Sequence, residues 1–139
     1  MSYGLESLET RQLEGILTIL NQCCDSFLFE FDLSKDTFFI SNSARNIFNF
    51  PEEKMENATQ ALMKIVYGED QASLRADLDL LKTGKKTEHN LDYRWINKNG
   101  KPVWIRSRGR ILPNENDAKR ILIGEVSIVT DEDKTDLLT

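Results

Sequence analysis

The chain has 139 residues, 40% of them hydrophobic and 29% charged, and a net charge of −5 at pH 7. That length is about one domain with a buried core, and the acidic balance argues against a nucleic-acid binder, whose cations must outnumber its anions. No apolar run approaches the roughly 20 residues that cross a bilayer, and the start at Met1 lacks the basic and apolar segments of a signal peptide. A cytoplasmic protein without membrane contact is expected.

Leu5, Leu8, Leu13, Ile16, Leu17, Leu20 and Cys24 recur at three- and four-residue steps with charges between them, which predicts an amphipathic helix over residues 1–24. Its apolar stripe needs a cover, either a sheet or a second copy. The adjacent Cys23 and Cys24 are poorly placed to bridge and read as small apolar side chains in a reducing compartment. The period then changes. Phe27, Phe29, Phe31 and Leu33 alternate with Leu28, Glu30 and Asp32, and Thr37 to Ser41 return after a polar turn, predicting a hairpin.

Short helices are expected next. Asn42 or Ser43 would cap Ala44 to Phe48, and Pro51 would open a turn around Glu52 to Met55. A helix over Ala58 to Tyr67 follows, then one capped by Asp70, with Leu74, Leu78 and Leu81 in a stripe and Gly84 past its end. Thr87 to Asn97 and Lys101 to Pro113 flank Asn99-Gly100, a strong hairpin signal. Arg120 to Thr130 forms a last strand. Leu122, Gly124, Val126 and Ile128 share one of its faces, and Ile121, Ile123 and Val129 make the other apolar too, so both faces need covering. The order predicts an α+β domain: a five-stranded antiparallel sheet with short helices on one face and the N-terminal helix on the other.

In the second hairpin, Trp104, Arg106, Arg108 and Arg110 fall on one face and Val103, Ile105, Ser107 and Ile111 on the other. Alternating arginines in an acidic protein read as a solvated face paired across strands; anion or nucleic-acid binding is the other reading, opposed by the charge balance. His89 is the sole histidine, so any Ser-His-Asp or Cys-His arrangement must use it. Its place near a strand start reads as a partly exposed polar side chain. Neither a glycine-rich phosphate loop nor metal-ligand spacing is visible, and the chain alone is not expected to be an enzyme.

These elements resemble a PAS domain of the subfamily that ends in a long hairpin and a strand. The resemblance rests on Asp92-Tyr93-Arg94, Asn99-Gly100 with Trp104, Gly124, the exit Ile128-Val129-Thr130-Asp131, Ile47-Phe48-Asn49-Phe50 before Pro51, and Tyr67-Gly68-Glu69-Asp70. It implies a PAS domain over residues 25–131 and a connector over 132–139. It also implies a cavity between sheet and helices lined by Phe29, Phe31, Ile47, Leu62, Ile65, Leu74, Leu78, Tyr93 and Val126; the same side chains serve equally as plain core. Asp70 to Leu81 holds no histidine for haem, and neither cysteine lies where light-sensing flavin relatives carry theirs, so haem and covalent flavin are unsupported and the cofactor is unknown.

Asp136-Leu137-Leu138-Thr139 resembles the opening of the Asp-x-Leu-Thr-Gly-Leu signature of GGDEF diguanylate cyclase domains. The expectation is a sensory and regulatory module of a bacterial signalling protein. It would relay a ligand or partner signal through Ile128, Val129, Thr130 and Asp131 to an output domain, a cyclase that makes cyclic-di-GMP. A homodimer through the N-terminal helix, seamed by Leu13, Ile16, Leu17 and Leu20, is part of that expectation. The alternative is a protein–protein interaction and dimerisation module with no small-molecule ligand.

Overall fold

The alternation of Phe27, Phe29 and Phe31 with Leu28, Glu30 and Asp32 produces the first strand of a computed structural model of the chain, which describes residues 12, 14–16, 26–113 and 118–129. This strand, β1 (Phe27–Asp32), pairs antiparallel with β2 (Thr37–Ile40), with Phe29 opposite Ile40 and Phe31 opposite Phe38. Asp32 Oδ1 closes the turn by accepting the Ser34 and Lys35 amide N–H groups, both at 3.0 Å.

Further along come β3 (Lys54–Glu56), β4 (Glu88–Ile96), β5 (Pro102–Ile111) and β6 (Ile121–Ile128). The sheet has six strands in the order β3-β2-β1-β6-β5-β4, and every neighbouring pair is antiparallel. The sixth strand corrects the expected five. Where a helical turn was expected around Glu52 to Met55, Met55 is buried between exposed Lys54 and Glu56, a period-two pattern that fits an edge strand on β2.

The helical layer is a 3₁₀ turn at Asn42–Asn46, α1 (Ala58–Met63), a second 3₁₀ turn at Gly68–Asp70, and α2 (Gln71–Lys82). Residue Asn57 before α1 is left-handed, at φ 50°, and gives no side-chain cap. Asp36 caps the helix from the β1–β2 turn instead, its Oδ1 accepting the Thr59 N–H at 2.9 Å and the Thr59 hydroxyl at 2.7 Å. The expected continuation to Tyr67 fails because sheet bonds claim that backbone: the Tyr67 N–H donates to the Arg94 carbonyl, and the Ile96 N–H to the Ile65 carbonyl. Neither Asn42, Ser43 nor Asp70 caps by side chain as expected. Asp70 is taken by Arg94, which grips it through Nε at 2.9 Å and Nη2 at 2.8 Å.

Leu74, Leu78 and Leu81 do form the buried stripe of α2, and Gly84 follows it at φ 84°. They cover the inner face of the sheet together with Phe29, Phe31, Phe38, Phe48, Phe50 and Trp95. Gly124 has a packing reason. A Cβ there would stand 2.1 Å from the Arg108 carbonyl oxygen and 2.8 Å from the Phe29 ring, so only glycine lets β5, β6 and that ring close up.

The outer face is thinner. Phe39 packs with Leu28 and Ile123, and Glu30 is buried among them. Residues 12 and 14–16 are helical, and Glu14 Oε1 meets Lys54 Nζ of β3 at 3.0 Å. Of the expected dimer seam, Ile16 is exposed; Leu13, Leu17 and Leu20 lie outside the described residues, as do Thr130 and Asp131 of the expected exit.

Candidate functional site

The residues that could do chemistry meet where β4, β5 and α2 come together under the sheet. Strand alternation turns His89, Tyr93 and Trp95 of β4 and Ser107 of β5 inward, and Asp77 is on the buried side of α2. His89 Nδ1 lies 2.5 Å from Asp77 Oδ2, and His89 Nε2 lies 2.9 Å from Ser107 Oγ. Asp77 Oδ1 also takes the Lys86 ammonium at 2.5 Å. His89 is thus 3% exposed rather than partly exposed as the sequence suggested. A polar residue at a strand start signals burial poorly; a partner twelve residues earlier on a helix could not be paired with it from spacing alone.

Burial pushes the His89 pKa down from its ordinary value despite the Asp77 carboxylate beside it, so the imidazole is neutral. With Asp77 accepting from Nδ1–H, Nε2 accepts the Ser107 hydroxyl proton, which fixes the tautomer. Burial also raises the Tyr93 hydroxyl pKa, and hydrogen bonding with Trp95 and Ser107 pulls it partway back. The connectivity is that of a Ser-His-Asp hydrolase, but the site cannot act as one. Ser107 is 3% exposed, and the adjoining cavity measures about 10 Å³, room for about one water molecule and none for an acyl substrate.

That cavity brings together most of the expected lining. Phe29, Phe31, Leu62, Leu74, Leu78, Tyr93 and Val126 surround it, joined by Phe38, His89, Trp95, Ser107 and Leu122, which the sequence reading left out. Ile65 is buried elsewhere in the core and Ile47 packs at its margin. The inward alternation of β4 and β5 was the signal that could have found Trp95 and Ser107. Trp95 Nε1 is buried beside the Tyr93 hydroxyl.

The arginine face is a solvated, paired surface. Arg106 Nε donates to Asp92 Oδ1 at 2.9 Å across the hairpin, Arg110 pairs with Glu88, and Arg94 lies between the rings of Tyr67 and Trp104, 4.2 and 4.7 Å from their centres. Arg94, Arg106 and Arg110 are matched rather than held ready for an anion. No helix among the described residues is long and apolar enough to cross a membrane.

Comparison with known proteins agrees with this architecture. The chain resembles a sensory box histidine kinase/response regulator from Burkholderia thailandensis at 19% identity and a TM-score of 0.65, covering 94% of this chain and 92% of that one. It is similar at 19% identity and 0.64 to the N-terminal domain of a diguanylate cyclase with a PAS/PAC sensor from Marinobacter aquaeolei, over 77% and 97% of the two chains. At 10% identity and 0.58 it is similar to the RpfR quorum-sensing receptor PAS domain of Cronobacter turicensis in complex with C12:0, over 77% and 96%. At these identities the likeness is one of fold. None of the curated proteins matches the chain. The PAS fold family model matches residues 37–125, more than half of the sequence. The chain belongs to the PAS fold family.

Proposed function

We propose that this chain is a sensory and regulatory module of a bacterial signalling protein, acting in the cytoplasm and passing a ligand or partner signal to an output domain. One observation carries the reading. Ser107, where the buried polar chain meets the cavity, is the direct sheet partner of Val126 on β6. A change at the cavity wall therefore reaches β6, and Ile128, Val129, Thr130 and Asp131 are proposed as the exit from it. Val129 stays tied to the sheet by its N–H, which donates to the Trp104 carbonyl at 2.9 Å. Such relay needs two packings of similar free energy, one favoured by the signal.

A diguanylate cyclase is the output we propose, supported by Asp136 to Thr139 and by the likeness to a cyclase's N-terminal domain. Native mass spectrometry of the protein purified from its own host tests the sensing limb: a retained small molecule is expected, and an empty protein overturns it. The small cavity favours a second reading, an interaction and dimerisation module with no ligand. In either case the N-terminal helix is proposed as the dimer element, through Leu13, Ile16, Leu17 and Leu20. Removing residues 1–24 is expected to halve the mass in solution, and an unchanged mass rules that element out.

A further inference from the structure

The strand registers place one row of side chains across the outer face of the sheet. Lys54, Phe39, Glu30, Ile123, Arg110 and Glu88 stand opposite one another along β3, β2, β1, β6, β5 and β4, and directly opposed residues share a face. Glu30 is 3% exposed, and its Oε2 meets no hydrogen-bond partner. Its neighbours on either side, Phe39 and Ile123, are apolar and pack together with Leu28. The cations of the row lie one strand further out in each direction, and each already holds another carboxylate. Arg110 pairs with Glu88, and Lys54 Nζ meets Glu14 Oε1 of the N-terminal helix at 3.0 Å.

An ionised carboxylate is costly in that place, because burial strips its water and no cation in the row is left to compensate it. Four other charged groups act on Glu30: Glu14 from the helix, Lys54 from β3, Asp32 from its own strand and Lys119 from the approach to β6. Burial and Glu14 outweigh the two lysines, and the Glu30 pKa rises to about 7.

The proton therefore decides how the outer face can be covered. Protonated, Glu30 is a neutral side chain among Phe39, Leu28 and Ile123. Ionised, it must regain water. β1 cannot turn it outward, because ladders to β2 on one side and β6 on the other fix the strand. The helix has no ladder to the sheet, and an ionised Glu30 repels Glu14 while competing with it for Lys54. The helix is the part that gives way.

We propose that the outer face is a proton-sensing site, in which the protonated Glu30 carboxyl keeps the N-terminal helix seated on the sheet and its ionisation releases the helix. The site goes beyond the ligand or partner signal read at the inner cavity. Its signal is pH and it lies on the opposite face of the sheet, so an empty cavity leaves it in place. Release returns Glu30 to water and to an ordinary carboxylate pKa, so the seat is firm in acid and loosens as pH climbs to about 7.

Amide hydrogen exchange of the full chain, corrected for the intrinsic pH dependence of exchange, tests the site. Protection of the Gln12 and Glu14 to Ile16 amides is expected to fall about tenfold from near pH 6 to near pH 8. At both pH values these amides should exchange faster than Leu91 to Trp95 of β4, because the helix lifts without the fold opening. Glu30→Gln, neutral and close to isosteric, should hold the helix protected at both pH values. The Glu30 carboxyl carbon-13 resonance should titrate with a midpoint about 7. Four results would overturn the proposal: helix amides unprotected already near pH 6, wild-type protection that does not change with pH, the same fall in Glu30→Gln, or helix and β4 amides exchanging at one rate. A carboxyl midpoint in the ordinary carboxylate range would overturn it too.

Discussion

The two faces of the sheet bury charge in opposite ways. On the inner face Asp77 is matched twice, by Lys86 and by His89, and the imidazole passes the pairing on to Ser107. On the outer face Glu30 is 3% exposed, and its Oε2 has no hydrogen-bond partner. Burial, with Glu14 next to it, lifts its pKa to about 7; Lys54 and Lys119 pull it back, and Asp32 adds to the rise. The inner face solves desolvation by pairing and the outer face by taking up a proton. A protonating group ties the stability of the outer face to pH.

The difference breaks most sharply at Asp77. Asp77→Ala strands a buried imidazole and is expected to cost about 3 kcal/mol in chemical denaturation; Asp77→Asn, which keeps an acceptor, should cost less than half of that. A loss below 1 kcal/mol for Asp77→Ala would remove the pairing argument.

Glu30→Gln tests the outer face with the opposite sign. Between the ordinary carboxylate range and about pH 7 the folded chain holds a proton at Glu30 that the unfolded chain has released, so its contribution is full at low pH and lost as pH rises through about 7. The variant is therefore expected to match wild type near pH 4.5 and to be about 2 kcal/mol more stable at pH 8. Equal offsets at both pH values would show that Glu30 does not titrate in this way.

His89 sharpens the contrast. Its folded pKa is depressed, mainly by burial, so the unfolded chain takes up the proton first and stability falls as pH drops below the ordinary histidine range. His89→Gln should cost about 1.5 kcal/mol at neutral pH and abolish that acid loss while keeping the Glu30 dependence. Persistence of the same acid slope would assign it elsewhere. The smallest effect is expected on the solvated side of the hairpin. Arg94→Lys gives up the two-pronged grip on Asp70 and the stacking between Tyr67 and Trp104, for about 0.5–1 kcal/mol in thermal unfolding.

How much of this was readable beforehand follows from the range of each signal. The alternation of Phe27 to Leu33, the α2 stripe and the Asn99-Gly100 hairpin are local patterns, and each stands where the sequence put it. The edge strand at Lys54–Glu56 has too short a pattern to outweigh a proline-opened turn. Asp36 capping α1, Asp70 bound to Arg94 and Asp77 bound to His89 all join residues from different elements, and no spacing rule links them. Seven of the nine expected lining residues surround one cavity because each sits on an inward face. The polar half of the wall was missed because His89 reads as solvent-facing, and Ser107, though on the inward face, shows no partner until β4 and α2 are in view.

The central claim is that the inner-face cavity communicates with β6. The direct measurement is amide hydrogen exchange in the wild type and in Ser107→Ala, comparing Leu122 to Ile128 with Lys54 to Glu56 of β3. The account predicts exchange quickened about threefold or more along β6 and unchanged in β3. Equal exchange along β6 in the two chains would contradict it.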